Sequence, residues 1–238
     1  MSRIDGRGLD EIRPVNIVLD YLDYAEGSVL IEQGGTRVLC AVSLEERIPQ
    51  WMRGEGRGWV TAEYSMLPRA TLTRTPRERG TSSGRSHEIS RLVGRSLRAV
   101  VDFSELGERT LTVDCDVIQA DAGTRTAAIT GSYVALHMAC EKMKREGIIT
   151  NNPLRTFVGA ISVGLLQDEV LLDLCYEEDL AAEVDFNVVM TGDDRLVEVQ
   201  GTAETASFTR DQMDEILDLA SNGIQKLFQK QKVALGVE

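Results

Sequence analysis

The segment Gln119-Ala-Asp-Ala-Gly-Thr-Arg-Thr126 carries the most specific chemistry in the chain. It lies where an alternating strand pattern ends and a helical pattern begins. A Gly-containing turn into a helix N-terminus offers free backbone N–H groups and the positive end of the helix dipole to an anion. Gly123 lets an anion approach the backbone, Thr124 and Thr126 add hydroxyl donors, and Arg125 adds a guanidinium fork. Each charge-assisted bond of this kind is worth roughly 1.5–3 kcal/mol when desolvated. The turn fits one small phosphate; it lacks the length and the lysine of a nucleotide P-loop. A capped helix with a structural Arg is the plain alternative. Gly84-Arg85-Ser86 repeats the pattern ahead of a second helical segment, and two such turns say more than either alone.

A carboxylate group follows later. Glu177-Glu178-Asp179 precedes Glu183 and Asp185, and Asp185 sits inside the alternating run Val184-Asp-Phe-Asn-Val, on the face opposite Val184, Phe186 and Val188. A strand carboxylate beside a carboxylate loop can hold one hydrated Mg²⁺ through one or two ligands, the usual mode when the ion also contacts substrate phosphate. A solvated turn is the competing reading. His87 and His137 are the only histidines and fall in separate helical segments, so a His-based triad or metal site has little support; His137 reads as a helix-surface residue.

With 38 Asp+Glu against 26 Lys+Arg, the 238-residue chain has a formal charge of −12, which taken whole argues against a nucleic-acid partner. The sum hides two unlike regions. Residues 47–98 hold eleven Arg, four Glu and no Lys or Asp, a balance of +7 that leaves −19 for the remainder. Only guanidinium matches phosphate with a planar fork, so the choice of Arg favours phosphate recognition over mere positive charge. Surface or subunit Arg–carboxylate bridges would also explain the cluster. Hydrophobic residues make up 42% and charged residues 27%, an ordinary globular composition. The charged N-terminus and the absence of a long apolar run point to the cytoplasm. Cys40, Cys115, Cys140 and Cys175 are widely spaced among apolar neighbours without a C-x-x-C pair, and read as buried thiols rather than disulfides or zinc ligands.

The elements that must position these groups alternate between strands and helices. Strands around Val29-Leu-Ile and Val38-Leu-Cys flank Gly34-Gly35, a hairpin signal through the positive φ of primed turns. Residues 110–118 alternate as a half-buried strand, 157–166 and 170–174 form a hairpin around Gln167-Asp-Glu, and strands near 184–191 and 195–200 flank Gly192-Asp-Asp. Helical spacing covers 87–101 with Ser86 as N-cap, and about 124–144 and about 210–232 also read as helices; Gly80-Thr-Ser-Ser-Gly84 reads as a mobile loop. Strands in two groups, each followed by a helix, give an α+β fold of two related halves, without a provable sequence repeat.

Arg3-Ile-Asp-Gly-Arg7, Gly58-Trp-Val-Thr-Ala-Glu-Tyr-Ser-Met-Leu-Pro-Arg-Ala-Thr71, Glu88-Ile89, Arg91-Leu-Val-Gly-Arg-Ser-Leu-Arg98, Asp114-Cys-Asp-Val-Ile-Gln-Ala-Asp121, Gly123-Thr-Arg-Thr-Ala127 and Val197-Glu-Val-Gln-Gly-Thr202 together resemble the bacterial ribonuclease PH family, from residue 3 to about 234. Polynucleotide phosphorylase and archaeal exosome ring subunits belong to the wider family. The resemblance implies one domain over 1–238, with an α+β fold like that of a ribosomal S5 domain. It implies a phosphorolytic exoribonuclease, a nucleotidyltransferase that trims the 3′ end of precursor tRNA with inorganic phosphate and releases nucleoside diphosphates. It further implies a homohexameric ring of three dimers and Mg²⁺ as cofactor. By motif match, Arg85, Gly123, Thr124 and Arg125 bind the attacking phosphate, Asp179 and Asp185 serve the metal and the leaving 3′ oxygen, and Arg69, Arg74 and Arg77 face RNA; Asp179, Asp185, Arg85 and Arg125 form the catalytic set. A catalytically silent RNA-binding ring subunit is the alternative. Two departures stand out: Ala122 replaces a family Gly, and the stretch from Arg79 to Ser83 is short and lacks a family lysine.

Overall fold

The structure, a computed structural model, describes residues 3–77 and 84–237. The Gly80–Gly84 loop and the short stretch from Arg79 to Ser83 therefore lie outside the described residues, except Gly84.

Two sheets share one long helix. The first sheet contains β1 (Val15–Leu19), β2 (Gly27–Gln33), β3 (Thr36–Glu45), β4 (Trp59–Met66) and β5 (Thr110–Gln119), in the order β1-β2-β3-β5-β4. Every pairing is antiparallel except β4 with β5. That parallel pair is joined through helices α1 (Gly84–Arg98) and α2 (Phe103–Leu106), since parallel neighbours need a crossover. The second sheet has the antiparallel order β7-β6-β8-β9, from β6 (Val158–Leu166), β7 (Glu169–Leu172), β8 (Val184–Thr191) and β9 (Leu196–Ala203).

Helix α3 (Thr124–Arg145) lies against β2 and β3 on one side and β6 on the other. Its Ala127, Ala128, Ile129, Val134, Ala135, Leu136, Ala139, Cys140 and Met143 are all fully buried, the signature of a helix packed all round rather than amphipathic. Close approach requires small residues: a Cβ on Gly131 would stand 2.7 Å from Ile31 Cγ2, and one on Gly27 only 2.2 Å from the Ala135 carbonyl oxygen. Helix α5 (Arg210–Leu235) covers the second sheet with Ile216, Ala220, Ile224, Leu227 and Phe228, and Thr209 caps it by accepting the Gln212 N–H at 3.2 Å. The expected α+β arrangement of two β/α halves is the observed one. All four cysteines are free and buried.

Several local readings change. Helix α1 begins at Gly84, so Ser86 is buried in its first turn rather than outside as N-cap, and the helix ends at Arg98. Val100 and Val101 follow it in the core, which explains why their spacing looks helical. The acidic run 177–179 is no open turn but part of a short helix, α4 (Tyr176–Ala181). In the Gly34-Gly35 turn only Gly34 has a positive φ, +58°. His137 is half-buried beside Tyr133, at 6.3 Å between ring centroids, and burial pulls its pKa down.

Candidate active site

A cleft of about 1730 Å³ opens where the carboxyl ends of the parallel strands β4 and β5 face the second sheet. Its walls include Arg69, Arg85, Gly123, Thr124, Arg125, Asp179 and Asp185, residues separated by up to 116 positions in the chain. Seven of the nine residues marked out from the sequence thus meet at one place. Arg74 and Arg77 do not line the cleft; both are exposed on the segment that follows it.

The anion side is built from two helix N-termini. Helix α3 starts after two residues in left-handed backbone, Ala122 at φ +51° and Gly123 at φ +60°. Ala122 therefore adopts the conformation that a Gly would take without strain, at about 1–2 kcal/mol for a residue with a Cβ. Gly123 is less replaceable, because a Cβ there would stand 2.9 Å from Arg13 Nη2. The Thr124 hydroxyl pairs with the Tyr64 phenol at 2.8 Å, in the buried space behind the turn. Burial pushes the Tyr64 phenol up, so it stays protonated and holds Thr124 in place. Arg125 Nη1 donates to Gln200 Oε1 at 2.9 Å and stands 3.5 Å from Glu88; Gln200 in turn donates to Glu88 at 3.1 Å. Glu88 belongs to α1, whose first residues place Arg85 at the same cleft. The Thr126 hydroxyl, expected to face the anion, instead donates back to the Gly123 carbonyl at 2.9 Å.

The carboxylate side comes from the other half. Asp179 lies one turn into α4, and Asp185 is the one residue of β8 that is half-buried rather than buried. Asn187, on the same strand face, donates to Asp185 Oδ2 at 3.2 Å, whereas Oδ1 is buried with no partner among the described residues. Burial, helped by the neighbouring Asp179 charge, pushes the Asp185 carboxyl up to about 6. The protein wall also raises Asp179, against the opposing pull of Arg125, Arg85 and Arg13. Glu204, just beyond β9, adds to the negative field felt by both. An orphaned carboxylate oxygen beside a second carboxylate suits a cation that takes one or two protein ligands and fills its shell with water and phosphate oxygens, as Mg²⁺ does. Among the described residues no group of three or more His, Cys, Asp or Glu is placed to hold a metal, so the pair would have to act with substrate.

Arg69 lines the cleft, but its Nη1 also caps its own loop by donating to the carbonyls of Thr71 (3.0 Å) and Leu72. Sequence reasoning passed over Tyr64, Glu88, Gln200 and Glu204 as site residues. Tyr64, Glu88 and Gln200 fall within the motif runs, so the signal was present without a role attached; Glu204 had none.

The family description "3′ exoribonuclease family, domain 1" matches residues 11–140, and "domain 2" of the same family matches 156–223, one to each half of the fold. Ribonuclease PH of Bacillus pumilus and that of Bacillus subtilis are each 56% identical to this chain over 237 residues, covering 98% of it and 97–98% of their own lengths. Among solved structures, a chain of the Archaeoglobus fulgidus exosome with RNA bound to its active site superposes with a TM-score of 0.83 at 26% identity, over 96% of this chain and 92% of that one. An archaeal exosome core chain follows at 0.80 and 25%, over 97% and 91%.

Proposed function

This chain belongs to the ribonuclease PH family of 3′ exoribonucleases and is a phosphorolytic nucleotidyltransferase acting on RNA; from that premise we propose that it trims the 3′ end of precursor tRNA in the cleft described above. The observation that carries the reading is the convergence of Arg85, Arg125, Asp179 and Asp185, from both halves of the fold, on one cleft.

Inorganic phosphate attacks the last phosphodiester in line. A new P–O bond forms to the terminal nucleotide as the bond to the preceding 3′ oxygen breaks, and the proton shed by the nucleophile ends on that leaving oxygen. The products are a nucleoside diphosphate and RNA shorter by one residue. Little covalent chemistry falls to the protein; it must hold two anions together against their repulsion and stabilise the charge that develops. Arg125, fixed by Gln200, offers its fork to the nucleophile. Arg85, the Gly123–Thr124 backbone and the Thr124 hydroxyl complete the cradle, with both helix dipoles pointing into it. Asp179 and Asp185 would hold Mg²⁺, which supplies Lewis-acid stabilisation of the departing oxygen. Phosphate in the attack position keeps water out of it. Arg69 would contact the RNA backbone, joined by Arg74 and Arg77 from the exposed segment beside it.

Assembly as a homohexameric ring of three dimers belongs to the same proposal. Tyr24 and Trp51, large side chains 98% and 63% exposed, are surfaces that subunit contacts could cover, and the solution mass measures this directly. Four free thiols suit the cytoplasm, and no helix among the described residues is long and apolar enough to cross a membrane.

The deciding assay incubates the protein with single-stranded RNA and Mg²⁺, with and without inorganic phosphate. Nucleoside diphosphates formed only with phosphate are expected. No product, or monophosphates in both reactions, would overturn the reading and leave a silent ring subunit in its place.

A further inference from the structure

The phosphate turn and the carboxylate helix stand on different halves of the fold, and an in-line reaction needs them in fixed relation. Asp121 joins them. It sits two residues before Gly123, just past the end of β5, and its side chain is 28% exposed. Its Oδ1 accepts the backbone N–H of Tyr176, the first residue of α4, at 2.9 Å. Its Oδ2 accepts the N–H of Gly35 in the β2–β3 turn at 3.1 Å and lies 3.6 Å from Arg13 Nη1.

The backbone around it is equally tied. The Asp121 N–H donates to Thr36 Oγ1 at 2.9 Å, and that hydroxyl donates on to the Ala122 carbonyl at 2.6 Å. Arg13 Nη1 donates to the Asp121 carbonyl, while its Nη2 reaches the buried Asp173 at 2.7 Å, beyond the end of β7. Gly35 shows how tightly the carboxylate is seated: its φ does not call for glycine, but a Cβ there would stand 2.7 Å from Asp121 Oδ2.

We infer that Asp121 is a positioning residue that straps the N-terminus of α4 to the phosphate turn and so sets Asp179 against the bound nucleophile. The inference rests on the roles proposed above for Asp179 and for the turn. Asp179 is three residues after Tyr176, so a shift at the first turn of α4 is passed directly to its carboxylate. A misplacement of about 1 Å in such a reaction can cost on the order of 100-fold.

The contact can be cut by one atom. Tyr176 is the first helical residue, where proline is tolerated because that N–H is not needed by the helix. Cys175 before it is extended, at φ −82° and ψ 175°, as a residue preceding proline must be. Tyr176→Pro and Tyr176→Ala both lose the ring; only the first loses the N–H that Asp121 accepts. We expect kcat of the Pro variant to be roughly 10-fold or more below that of the Ala variant. The Mg²⁺ concentration for half-activity should rise in step, while KM for phosphate and for RNA should agree between the two. Equal kcat values would overturn the strap.

Should the Pro variant not fold, Asp121→Ala and Asp121→Asn decide. The amide oxygen of Asn can still accept from Tyr176, although its amide nitrogen then meets the Gly35 N–H, so Asn should recover part of the kcat lost in Ala; equal activity in the two would count against the inference. Arg125→Lys separates the underlying reading from the strap. It keeps charge and loses the fork, so KM for phosphate should rise about 10-fold or more with RNA binding little changed. An unchanged phosphate KM there overturns the assignment of the turn, whereas a raised one with equal Pro and Ala variants overturns the strap alone.

Discussion

Replacing Asp185 by Asn should make the metal-free protein more stable while abolishing its activity. Burial and the adjacent Asp179 push the Asp185 carboxyl from 3.8 up to about 6, so the fold prefers it neutral. Two pKa units at 1.36 kcal/mol each would be about 3 kcal/mol, and partial exposure roughly halves that, leaving about 1–2 kcal/mol. The sign follows from the order of the two values. Above pH 6 the group is ionised both folded and unfolded, and the folded state bears the whole penalty; below the unfolded value it is neutral in both and the penalty is gone. The Asn side chain never bears it and can still accept from Asn187, which now donates to Asp185 Oδ2 at 3.2 Å. At 2–4 °C per kcal/mol for a chain of this size, the variant should melt about 2–8 °C above the parent at pH 7.5 in EDTA. Thermal unfolding between pH 4.5 and 8, without phosphate, should show the gap narrowing as the pH falls through 6. Mg²⁺ should then raise the parent's midpoint and leave the variant's in place, since ligation stabilises only the protein that binds. A variant less stable than the parent at pH 7.5, or a gap of constant size across the pH range, would refute the reasoning.

Two further outcomes follow from the cleft walls. Arg69→Ala should weaken RNA binding and flatten its salt dependence by about 0.7 log units per log unit of salt for each phosphate contact removed; an unchanged slope in a filter-binding titration would leave Arg69 only the loop-capping role seen at Thr71 and Leu72. Ala122→Gly relieves a side chain held at φ +51° and should raise stability by about 0.5–1 kcal/mol after the added chain entropy of Gly, read as a melting point about 1–4 °C higher with kcat kept. A lower melting point would mean that the Ala methyl packs to advantage.

The long elements were legible because their periods were long. Ten residues of alternation mark β5, and α3 runs for 22 residues, too long for a strand or a turn, so its helical type shows without an amphipathic face. Helix α4 spans only six residues, less than two turns, so no period could separate it from an acidic loop. Its stability comes from elsewhere: Glu178 is buried against Arg3 Nε at 2.8 Å and accepts the Cys175 N–H at 3.0 Å. That ion pair joins residues 175 positions apart and cannot be read from local pattern. The same holds for the strap, since Asp121 and Tyr176 meet across 55 positions. The Arg cluster divides by position. Arg47 with Glu45, Arg57 with Glu55 and Arg95 with Glu198 form bridges outside the cleft, whereas Arg69 and Arg85 face into it.

The distribution of charge at the cleft follows from the same division of labour. On one side Arg85 and Arg125 stand at two helix N-termini, so cation and dipole add for the incoming anion. On the other side burial raises the Asp179 and Asp185 carboxyls, and the Asp179 charge pushes Asp185 and the Glu204 charge pushes both further up, a repulsion that a cation would relieve. If Asp179 and Asp185 hold Mg²⁺ as proposed, the acidic wall would repel an RNA phosphate until that ion is in place, whereas the basic wall attracts one at all times. On that proposal substrate binding and metal loading would be coupled through charge; the net −12 of the chain is no bar to RNA, because the sign that matters is that of each wall. Asp121 is well placed for such an arrangement. Both its oxygens are occupied by backbone donors from the two halves, so it can hold the walls at a fixed separation without adding a free charge to either.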